Sequence, residues 1–128
     1  MAKGIIIREA HFPGKAPIEA YGNGGFRFAD MSHRGSLLCL PDGIWAWPVA
    51  RKEDVTKAAL SDVFERYDSI DIFLLGAGKD PWPLPEALRA RFQELGISAD
   101  AMTTGAAVST WNILLGEGRR VAAGLIAV

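Results

Sequence analysis

The fold is decided in the second half of the chain, where three short apolar runs stand: IDIFLL at Ile70–Leu75, ISADAM at Ile97–Met102 and VAAGLIAV at Val121–Val128. Apolar runs of this length, bounded by glycine, are typical of strands. The last run is apolar almost throughout, as expected for a strand that is buried on both faces of a sheet. Because helix-like segments separate the runs, the order is β-α-β-α-β and the three strands are predicted to be parallel.

Three segments have the apolar spacing of helices. The first covers residues 56–67, the second has Pro85 in its first turn and ends at Gly96, and the third follows a capping threonine, Thr103 or Thr104. The apolar stripes of the second and third segments are Leu84, Leu88, Phe92 and Leu95, and then Ala107 or Val108, Trp111, Leu114 and Leu115. Right-handed connections place these two helices on one face of the sheet when both connections step in the same direction.

The third helix also has a stripe of small or polar residues, which either approaches a neighbour closely or faces solvent: Gly105, Ser109, Asn112 and Gly116. Asn112 is the polar residue of this stripe that is suited to a specific contact.

The first half of the chain is predicted to form antiparallel β-structure. The candidate strands are Ile5–Arg8, Ile18–Tyr21, Phe26–Phe28, Ser36–Leu40 and Ile44–Val49. Proline and glycine mark the turn between the last two strands, and the hairpins either extend the sheet or cover its other face. The predicted fold class is therefore α/β: a single compact domain, residues 1–128, with a mixed sheet that combines N-terminal antiparallel β-hairpins with the C-terminal parallel β-α-β-α-β unit.

Composition places the chain among globular domains and narrows the function classes. It has 128 residues, of which 49% are apolar and 23% charged, with a formal net charge of −1. The interspersed charges lack the basic face of a nucleic-acid-binding protein, and no apolar run reaches membrane-spanning length. The lone cysteine, Cys39, lies in an apolar run and is interpreted as a buried residue in a reducing compartment. The predicted location is cytoplasmic, without membrane insertion.

The candidate ligand site lies where the carboxyl ends of the parallel strands lead into two loops, 76–83 and 102–105. Ligands of open α/β sheets gather outside those strand ends, and helix N-termini present N–H groups to an anion. The sequence therefore predicts a pocket for a small anion or a carboxylate. Its candidate residues are Gly76, Gly78, Lys79, Asp80, Thr103 and Thr104, with Arg34 as a neighbour.

The alternative interpretation is that these glycines and prolines only shape a chain reversal, with Trp82 packed over the core. Residues 76–79 match neither the phosphate-loop nor the dinucleotide-binding pattern, so no cofactor is predicted. With one cysteine and two histidines that are far apart in the sequence, no metal site is predicted either.

Two further patterns bear on function. Trp45 and Trp47 share one face of a strand whose other face is also apolar, so the hairpin is either covered on both sides or lies at an interface, and both tryptophans are candidate interface residues. His33, Arg34 and Ser36 are close in sequence, yet neighbours in an extended chain alternate faces, so adjacency does not make a catalytic pair. The favoured interpretation of this segment is a turn entering a strand, and His11 lies in a loop without a predicted role.

Several segments together resemble a known family, the domain-of-unknown-function 498/598 family. They are 21–28 (YGNGGFRF), 33–38 (HRGSLL), 75–78 (LGAG), 96–97, 102–104, 112–115 (NILL) and 117–123 (EGRRVAA). The resemblance runs from about Ile18 to the C-terminus and implies a single α/β domain with a β-rich N-terminal part. The family includes a mitochondrial assembly factor of respiratory complex I, and the resemblance implies no catalytic residues.

Two functions follow from these patterns. The favoured one is a non-catalytic accessory or assembly-type factor that acts through protein partners or self-association, with respiratory complex I assembly entering by resemblance only. The alternative is a small-anion-binding protein or an enzyme that uses loops 76–83 and 102–105, with Lys79 and Asp80 as polar groups.

Overall fold

The computed structural model describes residues 12–128, so the predicted strand Ile5–Arg8 and the loop around His11 lie outside the described residues. The strands and helices of the described residues are β1 (Ile18–Gly22), β2 (Gly25–Phe28), β3 (Met31–Arg34), β4 (Ser36–Leu40), β5 (Gly43–Trp47), α1 (Ser61–Glu65), β6 (Ile72–Gly76), α2 (Glu86–Glu94), β7 (Ser98–Met102), α3 (Thr104–Gly116) and β8 (Val121–Leu125).

The larger sheet has five strands in the order β5-β4-β8-β6-β7. Strand β6 pairs in parallel with both β7 and β8, while β4 pairs antiparallel with both β5 and β8. The predicted mixed sheet is confirmed. All five residues of β8 are buried, because its alternate residues pack in core clusters on the two faces of the sheet, as the near-continuous apolar run indicated.

The two helices that join the parallel strands lie on opposite faces of this sheet. Strand β6 stands between β8 and β7, so the connection from β6 to β7 steps one way and the connection from β7 to β8 steps back past β6. Right-handed crossovers in opposite directions place their helices on opposite faces. Accordingly, Phe92 of α2 and Trp111 of α3 belong to separate core clusters.

Alternation along β4 shows the two core layers directly. Leu38 and Leu40 pack in the layer of α2, whereas Leu37 and Cys39 pack in the layer of α3. The hairpin β4–β5 extends the sheet, and a second, three-stranded sheet in the order β1-β2-β3 covers the α3 face. Of the two arrangements predicted for the N-terminal hairpins, both occur.

The smaller sheet is built from two tight turns. Gly22, Asn23 and Gly24 all have positive φ, which connects β1 to β2. Ala29 and Asp30 have φ of 49° and 61°, the conformation of a two-residue hairpin turn between β2 and β3. The segment around His33 and Arg34 was interpreted as a turn entering a strand, whereas Met31–Arg34 themselves pair with β2 as a strand.

The first helix is much shorter than the predicted segment 56–67. Helix α1 covers only Ser61–Glu65, preceded by a turn in which the Thr56 hydroxyl accepts a hydrogen bond from the Ala59 N–H. A 3-10 turn, Tyr67–Ser69, follows it. Leu60 and Val63 are buried as the spacing predicted, but the change of helix type turns Tyr67 toward solvent with 49% exposure.

Candidate functional site

A single threonine joins the two candidate loops. Thr104 is fully buried, and its hydroxyl donates to the Ile126 carbonyl at 2.7 Å and accepts from the Gly78 N–H at 3.0 Å. Its own N–H donates to the Gly78 carbonyl at 2.9 Å. The predicted site residue Thr104 therefore ties the end of β6 to the start of α3 and to the segment after β8, and its polar groups bond to backbone.

Two other predicted residues serve the packing of α3. The Thr103 side chain accepts a hydrogen bond from the Ala106 N–H and is the N-cap, which confirms the sequence prediction. At Gly76, a Cβ would lie 3.0 Å from the Thr104 Cα and 3.2 Å from the Ala107 Cβ. Glycine at this position allows α3 to approach β6 closely.

The remaining predicted residues, Gly78, Lys79 and Asp80, line an open cleft of about 300 Å³ at the carboxyl ends of β6 and β8. Lys79 and Asp80 are exposed. The opposite walls come from residues 50–53 and 126–128 rather than from the predicted loop 102–105. Arg51 and Lys52 thus join Lys79, and local sequence patterns gave no sign of this, because these walls are distant in sequence.

Arg34 lies in a neighbouring cleft instead of beside Lys79. It is exposed on β3 and lines an open cleft of about 440 Å³ formed by the smaller sheet. The two clefts adjoin where the Gly24 N–H donates to the Val128 carbonyl at 2.7 Å. Arg34, predicted as a neighbour of the Lys79 pocket, thus lines the adjoining cleft and not that pocket itself.

The polar segment 33–36 has no nucleophile–base pair. The Ser36 hydroxyl donates to the Val49 carbonyl at 2.6 Å and accepts from the Ala127 N–H at 3.0 Å. The His33 Nε2 lies 3.1 Å from the Ser36 backbone carbonyl. Ser36 therefore acts as a buried link between sheet segments.

Of the two candidate interface residues, Trp47 is covered and only 5% exposed. Its indole N–H donates to the Ala59 carbonyl at 3.0 Å, so the segment before α1 covers the ring. Trp45 is half-buried, and the Arg66 guanidinium lies 5.4 Å from the centre of its ring. The sequence left open whether this hairpin is covered or lies at an interface, because the cover depends on the path of residues 50–60.

Arg66 joins Trp45 to the turn between β4 and β5. Its Nε lies 2.7 Å from Asp42 Oδ1, and its Nη2 donates to Asp42 Oδ2 at 3.1 Å. This bidentate hydrogen bond holds the pKa of the Asp42 carboxyl below its usual value and raises the pKa of Arg66. The cluster contributes to structure on the α1 face.

Cys39 is a core residue. It has no measurable exposure, and burial alone raises the pKa of its thiol to about 12. A thiol that stays protonated is a poor nucleophile, in agreement with the sequence interpretation.

Within residues 12–128, every buried side-chain N or O atom has a hydrogen-bond partner, and no group of three or more His, Cys, Asp or Glu side chains is placed to hold a metal ion. Among the same residues, no helix has the length and apolar character needed to cross a membrane.

Fold and clefts together define a small α/β domain whose mixed five-stranded sheet carries a three-stranded sheet and a helix on one face. The chain belongs to the DUF498/DUF598 family of proteins of unknown function, which it matches over residues 18–126.

Comparison with individual proteins agrees with this assignment. A crystal structure of a Bartonella henselae protein described as an outer membrane protein superposes with a TM-score of 0.89 at 54% identity, covering 92% of this chain and 99% of that one. An uncharacterized protein of Rhodobacter capsulatus is 37% identical over 119 residues, or 93% of this chain and 90% of that protein.

A mouse relative carries a functional name. NADH dehydrogenase [ubiquinone] 1 alpha subcomplex assembly factor 3 of Mus musculus is 30% identical over 123 residues, which is 95% of this chain and 66% of that protein. Assembly factors of the same name in other animals match over as little as 57% of their length. The chain thus spans roughly three-fifths to two-thirds of these relatives.

Proposed function

We propose that the protein is a non-catalytic accessory factor of the assembly type, which acts by binding other proteins. The observation that carries this proposal is the similarity to named assembly factors, which extends over 95% of the chain in the mouse protein. By the same similarity, the process served is assembly of NADH dehydrogenase (ubiquinone).

The site geometry agrees with a binding role. The hydroxyls of Ser36 and Thr104, the buried polar side chains of the core, hold the sheet ends and the segment 126–127 together. The exposed polar side chains instead line two open clefts on adjoining surfaces. Open, polar surfaces on a rigid frame are suited to recognition of a partner.

Deletion of the gene in its native organism tests the proposal. We expect the amount of assembled NADH dehydrogenase, measured on native gels of solubilised membranes, to fall several-fold, with recovery when the wild-type gene is supplied. Succinate oxidation by the same membranes is the internal control and should not change. Wild-type levels of assembled enzyme in the deletion strain would contradict the proposal.

A second candidate function is small-anion binding at the Lys79 cleft. The specific observation in its favour is that three cations, Arg51, Lys52 and Lys79, outnumber the two carboxylates, Glu53 and Asp80, in one cleft at the carboxyl ends of β6 and β8, where ligands of α/β sheets gather. Phosphate, sulfate and small carboxylates should then raise the melting temperature of the wild-type protein. The Lys79→Ala variant should lose this response, whereas Lys57→Ala, at an exposed lysine outside the cleft, should keep it.

The proposed location is cytoplasmic, by the sequence argument alone. The Bartonella henselae relative is described as an outer membrane protein, so fractionation of the native cell is the direct test. Recovery of the protein with the cytosolic marker supports the proposal, and recovery with outer membranes overturns it.

A further inference from the structure

The outer face of the three-stranded sheet is basic. Cross-strand partners share a face, so the register places Arg27 beside Ser32 and Arg34 beside Gly25. The alternate residues Phe26 and Phe28 are buried on the opposite face. We call this outer surface the Arg27–Arg34 face; it carries most of the open cleft of about 440 Å³.

The two arginines of this face differ in their acidic partners. Of the residues that the structure describes, no aspartate or glutamate lines the cleft. Arg27 forms an ion pair at 3.5 Å with Glu19, which does not line the cleft. The Arg27 side chain is 53% exposed. Within residues 12–128, Arg34 has no carboxylate within 4.0 Å. An exposed guanidinium without a counter-ion is suited to bidentate binding of a carboxylate.

The backbone beside Arg34 is accessible as well. Gly22 and Gly25 stand in register across β1 and β2, and Arg34 completes that row on β3. A Cβ at Gly22 would meet no atom within 4 Å. The open space therefore lies at Gly22, at the far end of this row, whereas a Cβ at Gly25, directly opposite Arg34, would collide with the His33 carbonyl. Glycine at both positions keeps side chains off this part of the sheet.

Within residues 12–128, β3 is an edge strand of the smaller sheet. Among the described residues it pairs with β2 only. The two-residue turn at Ala29 and Asp30 makes Phe28 and Met31 a hydrogen-bonded pair, and such pairs alternate along an antiparallel ladder. The N–H and C=O groups of Ser32 and Arg34 consequently point away from β2, available to a further strand.

We propose that the Arg27–Arg34 face binds an extended acidic segment of a partner protein, which adds to the open edge of β3. Side chains at alternate positions of a strand share a face, so two carboxylates at i and i+2 would both lie over the arginines. The inference rests on the proposed function, because it names the chemical class of the partner.

The test uses a fluorescein-labelled peptide in which glutamate alternates with threonine, titrated with the intact protein while anisotropy is measured. We expect saturable binding that Arg34→Gln weakens about tenfold, the loss of one charge-assisted interaction. The matched control Arg89→Gln, on α2 at the opposite face of the large sheet, should bind as the wild type does. Thermal melts of both variants show whether each is folded.

Three further measurements distinguish binding of an extended acidic segment from non-specific peptide binding and from binding of a single carboxylate. A peptide with lysine for glutamate should not bind, and a glutamate peptide N-methylated at alternate residues should bind weakly because it cannot pair with β3. Sodium glutamate should not displace the peptide at matched carboxylate concentration. Equal binding of the N-methylated peptide, full displacement by free glutamate, or an unaffected Arg34→Gln variant would each overturn the inference.

Failure of the acidic-segment site can be distinguished from failure of the proposed assembly function. If deletion impairs assembly of NADH dehydrogenase but the Arg27→Gln/Arg34→Gln double variant restores it fully, the acidic-segment site is wrong and the proposed function stands. If the peptide binds as expected and deletion leaves assembly unchanged, the site stands and the proposed process is wrong.

Discussion

Asn112 shows how one side chain fastens the smaller sheet to the rest of the molecule. It lies in the middle of α3, and its amide pairs with both backbone groups of Ile18 at the start of β1. The Ile18 N–H donates to Oδ1 at 2.8 Å, and Nδ2 donates to the Ile18 carbonyl at 2.9 Å. The side chain thus satisfies a strand edge that would otherwise face a helix.

We expect Asn112→Ala to lower the free energy of unfolding by about 2 kcal/mol, because it leaves the N–H and C=O of Ile18 without their partner. The measurement is equilibrium unfolding in urea. Ser109→Ala, at an exposed position of the same helix, is the control and should change stability by no more than about 0.5 kcal/mol. Equal effects of the two substitutions would refute this role of Asn112.

The Asp42–Arg66 pair predicts a small acid sensitivity. The hydrogen bond from Arg66 lowers the pKa of Asp42 in the folded state from its ordinary value of 3.8. The stabilisation is therefore fully present above that ordinary value and is lost as the pH falls through the lowered one. Because the Asp42 side chain is 58% exposed, we expect it to contribute less than about 1 kcal/mol.

Urea unfolding of wild type and Asp42→Asn at neutral and strongly acidic pH measures this contribution. The wild type should be the more stable protein at neutral pH, and the difference should vanish in acid. A difference between the two proteins that is independent of pH would show that the carboxylate charge is not responsible. Asp80→Asn, in the Lys79 cleft, is the control at an exposed carboxylate outside the Arg66 cluster.

At the scale of elements, the close packing of β8 depends on a glycine in its middle. A Cβ at Gly124 would lie 2.7 Å from Cη2 and 2.8 Å from Cζ3 of the Trp47 ring. The buried tryptophan thus occupies the space that a side chain on β8 would need. This contact explains why a glycine stands in the middle of a buried apolar strand.

Gly124→Ala should destabilise the protein by about 1–3 kcal/mol, the usual range for overpacking a core. Gly116→Ala is the matched control: no atom lies within 4 Å of its Cβ position, and as the last residue of α3 it should be neutral or stabilising by up to about 1 kcal/mol. In a Trp47→Leu background the cost of Gly124→Ala should shrink. An unchanged cost there would show that Trp47 is not the obstacle.

The elements that the sequence predicted well are those with strong local signals. Pro85 and Gly96 bracket α2 as expected, with Pro85 at the N-cap and Gly96 at φ 75°. Helix α1 was overestimated because its apolar spacing continues through turns of other types on either side. Periodicity records which residues face the core and cannot distinguish a helix from successive turns that bury the same residues.

The candidate site was also predicted only where local signals exist. The exposed position of Lys79 and the capping role of Thr103 follow from local rules about strand ends and helix starts. The second wall of the Lys79 cleft, at residues 50–53, and the separate cleft of Arg34 depend on how distant segments pack, which no local pattern states. The opposite placement of α2 and α3 likewise depends on strand order.

At the scale of the whole molecule, β8 connects all the parts. It lies between β4 and β6, and so joins the antiparallel hairpin to the parallel unit. The segment that follows it accepts hydrogen bonds from the Thr104 hydroxyl and from the Gly24 N–H of the smaller sheet. It also donates one to the Ser36 hydroxyl. Among the described residues, β8 is the strand that pairs with both halves of the large sheet, so its loss separates them.

This position predicts that β8 exchanges its amide hydrogens only when the entire molecule unfolds. Native-state hydrogen exchange in low denaturant should give β8 amides the same free energy of opening as global unfolding. Amides of β7 and β3, which each pair on one side only among the described residues, should open at lower free energy. Edge strands lose pairing without disturbing the core, whereas opening β8 separates β4 from β6. Exchange from β8 as fast as from β7 would show that the hairpin and the parallel unit open independently, and that β8 does not couple them.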